Sequence, residues 1–442
     1  MTTPPPDSNP APPAAYVPSA PLDGFTADEF LGRRDRLRAS CPDGLIVIRG
    51  AAEDDFPHGV PFQQDSTFFY FTGIDTPGAV LALLPAGVLA TAGVRDADPG
   101  VREFLFLPAR NPATEAWTGP QLGPGAETER LTGIARVMDV GGLTAALIGW
   151  IRRNPLVYTL TPYGEKARQT PDGAFMEHLS SIAPVARFLD VASHVARLRV
   201  VKSSDEIARI RDAIRITAEG QRVARSFIEA GADHREYEVE AKIFEAFRRR
   251  GADLAFSTIV GSGIYATVLH YEANCHLMQE GDLVVVDIGA RSGHYCGDLT
   301  RTYAVGGKAS ARQQEVHTLV LAAHEQAVTG FQPGVDTLGT LNDRCKAFLK
   351  ASSLRAKDAL RNERTMDTFM PHRLGHHLGL DVHDVGDAEP PLSPGNVITI
   401  EPGIYIPSES LGVRIEDDYL VTIHGLERLG PALPKDLLLS DG

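Results

Sequence analysis

Cysteine is scarce in this chain. Cys41, Cys275, Cys296 and Cys345 are the only four in 442 residues. They form no CxxC pair, and four in this length make no disulfide framework, so a reducing, cytoplasmic setting is the simpler expectation. Positive charge is in short supply too. Lys and Arg total 43 against 57 Asp and Glu, a net charge of -14. That balance argues against a nucleic-acid-binding face and fits an acidic enzyme, some of whose acids hold metal. Long apolar runs are missing, and none approaches the length needed to span a bilayer. The first residues lack both a basic start and an apolar h-region, so no secretory signal is expected. No repeat at a solenoid period occurs, and no low-complexity segment follows residue 22.

The composition that remains is 43% hydrophobic, that of a globular protein, and its length exceeds one ordinary core. Two domains are expected. Residues 1–22, MTTPPPDSNPAPPAAYVPSAPL, read as a disordered or polyproline-like tail. Residues 23–185 read as an α/β domain. Thr26 to Ala39 is expected to be helical with Phe30, Leu31 and Leu37 on one side. Gly44–Arg49, Phe68–Phe71, Ala79–Leu84 and Phe104–Leu107 are expected strands, with helices over Glu127–Ala135 and Leu143–Arg153. Residues 186–435 read as a second, mixed α and β domain. Ser203 and Glu206 have capping-box spacing ahead of a helix carrying Ile207, Ile210 and Ile214. Further long helices are expected over Arg235–Arg250 and Ala311–Gly330.

Histidine is rare, 14 in the whole chain, yet four fall in the run from Phe369 to Asp384: His372, His376, His377 and His383. Metal ligation and proton transfer are the usual reasons for such a cluster, against a chance grouping on a solvated loop. Gly375 and Gly379 interrupt the run and point to crowded backbone.

The carboxylates decide what the run is for. Asp282–Ala290 is an apolar strand carrying Asp287, and a buried carboxylate needs a partner. Asp298 follows eleven positions later, across Gly289, Ser292 and Gly293, so a hairpin is expected to set both aspartates on one face. Asn396–Tyr405 holds Glu401. In Gly412–Val421, alternation puts Arg414, Glu416 and Asp418 on one side, and Pro407 to Leu411 is short enough for another hairpin. Any single acid is most simply explained by exposure or by a salt bridge to Arg301 or Arg414. Asp287, Asp298, Glu401 and Glu416 cannot all be charged together in a core without cations, and two divalent ions would neutralise them. One histidine from the run completes the set. Oxygen-rich ligation favours Mn, and paired ions activate water for attack on a carbonyl or phosphoryl group.

The segments VDIGA, GDLTRT, HRLGHHLGLDVHDVG, TIEPGIY and RIEDD resemble the metallopeptidase family with the pita-bread fold, and most of all its aminopeptidase P and prolidase branch. The resemblance covers nearly everything after the tail. Gln64–Gly73 is similar to part of the creatinase-like N-terminal domain of that branch, although Asp65 and Phe69 stand where members often show Asn and Trp. The fold implied is a creatinase-like α/β domain followed by a pita-bread catalytic domain. The ligands implied are Asp287, Asp298, His376, Glu401 and Glu416, holding two divalent ions, Mn2+ first and Co2+ or Zn2+ next. Glu401 is also implied as the proton carrier from a bridging water to the leaving proline nitrogen. His270, His372 and His383 are implied near the scissile bond, His383 on the substrate carbonyl oxygen. Arg414 is implied as an anchor for Glu401 or Tyr405, and Tyr405 as part of the substrate site. His377 receives no role and is expected to pack or lie at the surface.

The activity implied is cleavage of the Xaa-Pro bond at peptide N-termini, on substrates with proline second. The alternative is the dipeptide-restricted prolidase. Relatives with a longer loop before the RIED strand often carry an arginine there, and Pro407–Leu411 has none, which favours the aminopeptidase. A metal-free creatinase-like reaction is disfavoured because all five ligands are kept. Methionine aminopeptidases generally lack the large first domain. A non-catalytic binding module on the same fold is the remote alternative, since such members lose ligands. Family members are commonly dimers or tetramers, so a homo-oligomer is expected, with no nucleic-acid or membrane partner.

Overall fold

The computed structural model describes residues 24–57, 60–164 and 166–438. The tail expected over residues 1–22 lies outside the described residues. The chain divides into two compact units, up to Leu198 and from Arg199 on.

The first unit is built on a six-stranded sheet in the order β4-β3-β2-β1-β5-β6. Its strands are β1 (Leu45–Arg49), β2 (Val80–Leu83), β3 (Glu103–Leu107), β4 (Arg136–Asp139), β5 (Leu156–Thr159) and β6 (Arg187–Asp190). β2 pairs antiparallel with β1 and β3. The outer pairs β3–β4, β1–β5 and β5–β6 are parallel, each reached through intervening helical chain as parallel pairing requires. The expected domain boundary at 185/186 precedes β6, which belongs to this first sheet. The helices are α1 (Ala27–Ser40), α2 (Ser66–Thr72), α3 (Pro112–Thr118), α4 (Ala126–Thr132), α5 (Leu143–Ile151), α6 (Pro171–Ile182) and α7 (Ala192–Arg199). One sheet face packs Trp150 of α5 against Phe104 and Phe106 of β3.

Two local expectations fail here. The Phe68–Phe71 run is not a strand but most of helix α2. Asp65 caps its N-terminus by accepting from Phe68 N, and Gly73, at φ 66°, ends it in the left-handed region. The helix is buried on all sides, so its sequence has no polar stripe to betray a helical period. In α1, Leu31 is exposed. The face buries Phe30, Arg33, Arg34 and Leu37 instead. Arg33 and Arg34 reach the carbonyls of Tyr70 and Phe71 in the last turn of α2, at 3.1 and 3.0 Å. There they satisfy orphan acceptors at the negative end of the helix dipole.

Among its described residues the second unit carries four α-helices: α8 (Ser204–Glu229), α9 (Glu236–Arg248), α10 (Ala311–Val328) and α11 (Leu338–Ala351). Ser203 caps α8 in a full capping box with Glu206, as its spacing predicts. Helix α11 was not expected from the sequence. Its short β-strand neighbours are β7 (Asp253–Leu254), β8 (Ile259–Ser262), β9 (Leu283–Ile288), β10 (Ala290–Ser292), β11 (Tyr295–Cys296) and β12 (Leu299–Ala304). After α11 come β13 (Arg355–Lys357), β14 (Glu363–Thr365), β15 (Val397–Ile400), β16 (Gly403–Ile406), β17 (Leu411–Arg414), β18 (Asp417–Thr422) and β19 (Gly425–Arg428). β9 lies between β8 and β12, antiparallel to both. β15 pairs with β18, and β16 with β17 across the Pro407 turn, as expected for a hairpin. The valines of β9 are buried, each side chain contributing about 1.5–3 kcal/mol. Gln221 of α8 is also buried and donates to the carbonyls of Val286 and Leu299, at 3.0 and 2.6 Å. That fork clamps the β9–β12 pair to the helix.

The hairpin expected between the two aspartates exists, but one step over. Its strands are β10 and β11, and its turn is Gly293-His294, with φ of 52° and 68°. Positive φ at both central residues is what a tight two-residue turn needs. Asp287 therefore sits on β9, while Asp298 lies in the link between β11 and β12. Asp287 faces Thr300 across the ladder.

Candidate metal centre

Four backbone devices bring the donor side chains together. β9 presents Asp287. The β11–β12 link presents Asp298, whose amide donates to Asp418 Oδ2 at 3.0 Å. Glu401 follows the end of β15, and its amide donates to the carbonyl of Leu374 at 2.8 Å. Glu416 occupies the break between β17 and β18, where its amide donates to the Thr300 carbonyl at 3.0 Å and its carboxylate accepts from the Thr300 hydroxyl at 2.7 Å. Beneath that break, buried Arg301 donates to the Thr300 and Glu416 carbonyls and pairs with Asp417 at 2.6 Å. The single strand expected over Gly412–Val421 is broken between Arg414 and Asp417, yet Arg414, Glu416 and Asp418 still contact the donor set, and Asp417 turns away to Arg301.

His376 arrives from the glycine-broken run. Its amide donates to Thr399 Oγ1, and Thr399 N donates to the His376 carbonyl at 2.9 Å. The approach is so close that a Cβ on Gly375 would stand 2.0 Å from the Thr399 carbonyl oxygen. The His376 Nδ1 lies 3.0 Å from the His377 carbonyl. A nitrogen facing a carbonyl must donate, so Nε2 keeps its lone pair. That Nε2 is 3.6 Å from Asp298 Oδ2 and 3.7 Å from Glu401 Oε1. Donor atoms of Asp298, His376 and Glu416 all lie within 4.8 Å of one another.

A divalent cation fits this set. Asp287 Oδ1 and Asp298 Oδ1 are buried with no hydrogen-bond partner. Burial and then the Glu416 charge push the Asp298 and Glu401 carboxyls well above the usual carboxylate range. Burial and then Asp287 push Glu416 up to about 8. Such carboxylates ionise together only when cations of high charge density sit among them. The imidazole bonded through its other nitrogen to a backbone carbonyl is the arrangement metal-bound histidines use.

The remaining candidates line the same cavity of about 590 Å³, together with Phe256, Ile259 and Leu269. His270, His372, His383 and Arg414 are all on its wall. The His383 ring meets the His376 ring edge-on, with centroids 4.3 Å apart. Tyr405 stands just behind. Its hydroxyl accepts from Arg414 Nη1 at 2.8 Å and lies 3.0 Å from His372 Nε2. His372 Nδ1 is held by the Arg373 carbonyl at 2.7 Å, so Nε2 accepts from Tyr405. Burial lowers the His372 pKa to about 4 and raises that of Tyr405 to about 12. The imidazole is thus neutral and the phenol protonated. Arg414 anchors Tyr405 and also Asp287, at 2.5 Å. Among the described residues it makes no hydrogen bond to Glu401, the other anchor expected for it. His377 is buried, bridged to Ile398 and covered by Gly386, a packing residue. Thr300 and Thr399 were missed, because hydroxyls carry no spacing signal of their own.

Comparison with known proteins identifies the family. Residues 208–423 match the model of metallopeptidase family M24, and residues 30–158 match the aminopeptidase P N-terminal domain. The Xaa-Pro aminopeptidase of Escherichia coli is 33% identical over 94% of this chain and 97% of its own. The mitochondrial intermediate cleaving peptidase 55 of Arabidopsis thaliana is 30% identical over 94% of this chain and 82% of its own. The solved proline aminopeptidase P II of Yersinia pestis superposes with a TM-score of 0.80 at 29% identity, covering 93% of this chain and 98% of that one. The chain belongs to metallopeptidase family M24, with an aminopeptidase P N-terminal domain ahead of a pita-bread catalytic domain, and is a metal-dependent exopeptidase.

Proposed function

We propose that this enzyme removes the first residue from peptides whose second residue is proline, using a pair of divalent ions. One observation carries the reading. The five donors Asp287, Asp298, His376, Glu401 and Glu416 share one cavity with His270, His372 and His383. The oxygen-rich donor set favours Mn2+, with Co2+ and Zn2+ as competitors. When bound, such ions would supply an acidified water and polarise the scissile carbonyl.

The chain's own groups do the rest. Asp287 on β9 is held by Arg414, and Glu416 at the β17–β18 break is held by Thr300, so their carboxylates need little reorganisation. Glu401 takes a proton and hands it to the leaving nitrogen. Proline supplies a tertiary amide nitrogen with no proton of its own, so that transfer must precede departure. His383 donates to the substrate carbonyl oxygen as negative charge builds there. His372 is fixed by Tyr405 and the Arg373 carbonyl, and His270 lines the same cavity. With Phe256, Ile259 and Leu269 they form an apolar and imidazole wall for the proline ring. The substrate amine meets the acidic end.

The unit up to Leu198 then acts as the creatinase-like domain and the unit from Arg199 on as the catalytic one. We place the protein in the cytoplasm, as a homo-dimer or homo-tetramer. No described helix is long and apolar enough to cross a membrane. The test is kcat/KM for metal-loaded enzyme on Xaa-Pro-Xaa-Xaa, Xaa-Ala-Xaa-Xaa and Xaa-Pro peptides, with light scattering for assembly. Cleavage before proline alone is expected. Equal rates on the alanine peptide would overturn the proline reading, and strict preference for the dipeptide would select the prolidase alternative.

A further inference from the structure

The cavity wall carries three arginines: Arg291, Arg373 and Arg414. Two are committed. Arg414 is buried and donates to Tyr405 and Asp287. Arg291 donates to the Ala255 carbonyl at 3.2 Å and lies beside the buried Cys296 thiol. Arg373 differs. Its backbone carbonyl holds the His372 ring, but its side chain is exposed on the cavity wall and has no hydrogen-bond or ion-pair partner among the described residues.

An unpaired guanidinium is out of place on the wall of an acidic, cation-attracting site. It repels metal ions and contributes nothing to their capture. Its planar fork suits a carboxylate. It also has company, because Lys346 of α11 adds a second positive charge within electrostatic reach of the His372 ring. The cavity is therefore polarised. Its carboxylate cluster attracts an amine, and its His372–Arg373 flank attracts an anion. A free peptide is a dipole of the matching sense, with an ammonium at one end and a carboxylate at the other.

We propose that Arg373 reads the terminal carboxylate of short peptides, so that two- and three-residue substrates are favoured over the same sequences blocked at the C-terminus. This rests on the Xaa-Pro reading above. The span is consistent. Two residues beyond the scissile bond extend at most about 7 Å, within the sweep of an arginine side chain rooted next to His372. Longer peptides carry their carboxylate past it. The Pro407–Leu411 turn brings no cation of its own, so Arg373 supplies that charge from a different part of the fold.

The experiment compares Ala-Pro and Ala-Pro-Ala with their C-terminal amides, on metal-loaded wild type, Arg373→Ala and Arg373→Lys. Wild type is expected to prefer the acid roughly tenfold in kcat/KM for at least one of the two lengths. Arg373→Ala brings that ratio to about one, and Arg373→Lys keeps part of it, since the charge remains without the fork. The ratio is internal to each preparation and does not depend on the active fraction. Calorimetry with Pro-Ala and Pro-Ala-NH2 reads the same preference without turnover. An acid-to-amide ratio near one in wild type, or an unchanged ratio in Arg373→Ala, overturns the proposal while leaving the Xaa-Pro activity standing. If no Xaa-Pro peptide is cleaved, that activity falls; an acid preference in calorimetry that Arg373→Ala abolishes then still supports carboxylate recognition.

Discussion

Individual side chains divide the histidine run into distinct jobs. His376 holds a free lone pair among the carboxylates, His372 is tied into a chain from Asp287 through Arg414 and Tyr405, His383 meets the His376 ring edge-on, and His377 packs against Gly386. The spacing of the run selected the cluster, but the division depends on what each ring nitrogen faces. Asp287→Asn keeps the shape of a ligand and one of its oxygens while removing its charge. It is expected to lower metal content and to reduce kcat/KM by about a hundredfold or more, with circular dichroism unchanged; elemental analysis of the dialysed variant checks this. His383→Ala is expected to retain metal and lose on the order of a hundredfold in kcat, the scale of one lost transition-state donor. Loss of metal from that variant would put His383 among the ligands.

At the scale of elements, the donors are held by junctions rather than by single strands. The strand ladders were legible in the alternation of Val and Ile, and the caps of α8 in Ser203 and Glu206. The displaced β10–β11 hairpin and helix α2 were not, since an apolar run buried on all sides has no period to read. The loop carrying His383 is pinned by its neighbour. Asp384 is buried and pairs with Arg199 and with Lys202 Nζ, the latter at 2.8 Å. Burial alone would raise that carboxyl, but the Lys202 and Arg199 charges outweigh it and hold the pKa below its ordinary value. A depressed folded pKa gives stability that is fully present above the unfolded pKa of about 3.9 and is lost as pH falls through the folded one. Asp384→Asn is therefore expected to lose about 3 kcal/mol at neutral pH, because buried Lys202 loses its carboxylate partner and Arg199 keeps Asp381 but loses Asp384. Its loss of stability on acidification should also be shallower than that of wild type, as read by urea denaturation across pH 3 to 7.

For the whole molecule, the proposed ligands all belong to the unit from Arg199 on, while the first unit has its own core around Trp150. Chelation is expected to lower the Tm of the transition belonging to the second unit and to leave that of the first in place. The loss is about 3 kcal/mol for metal that had been at a hundred times its Kd, and calorimetry with and without chelator checks it. The sequence by itself determined that the protein has a carboxylate-rich site: Asp287, Asp298, Glu401 and Glu416 are set within or beside apolar segments, and a core cannot hold that many like charges without cations. It determined the family as well, through the order of those motifs. Only the tertiary structure decided which nitrogen of each histidine is free, that Arg414 serves Asp287 and Tyr405, and that Arg373 stands unpaired on the cavity wall. Those facts depend on contacts between segments far apart in the chain, and local spacing carries no record of them.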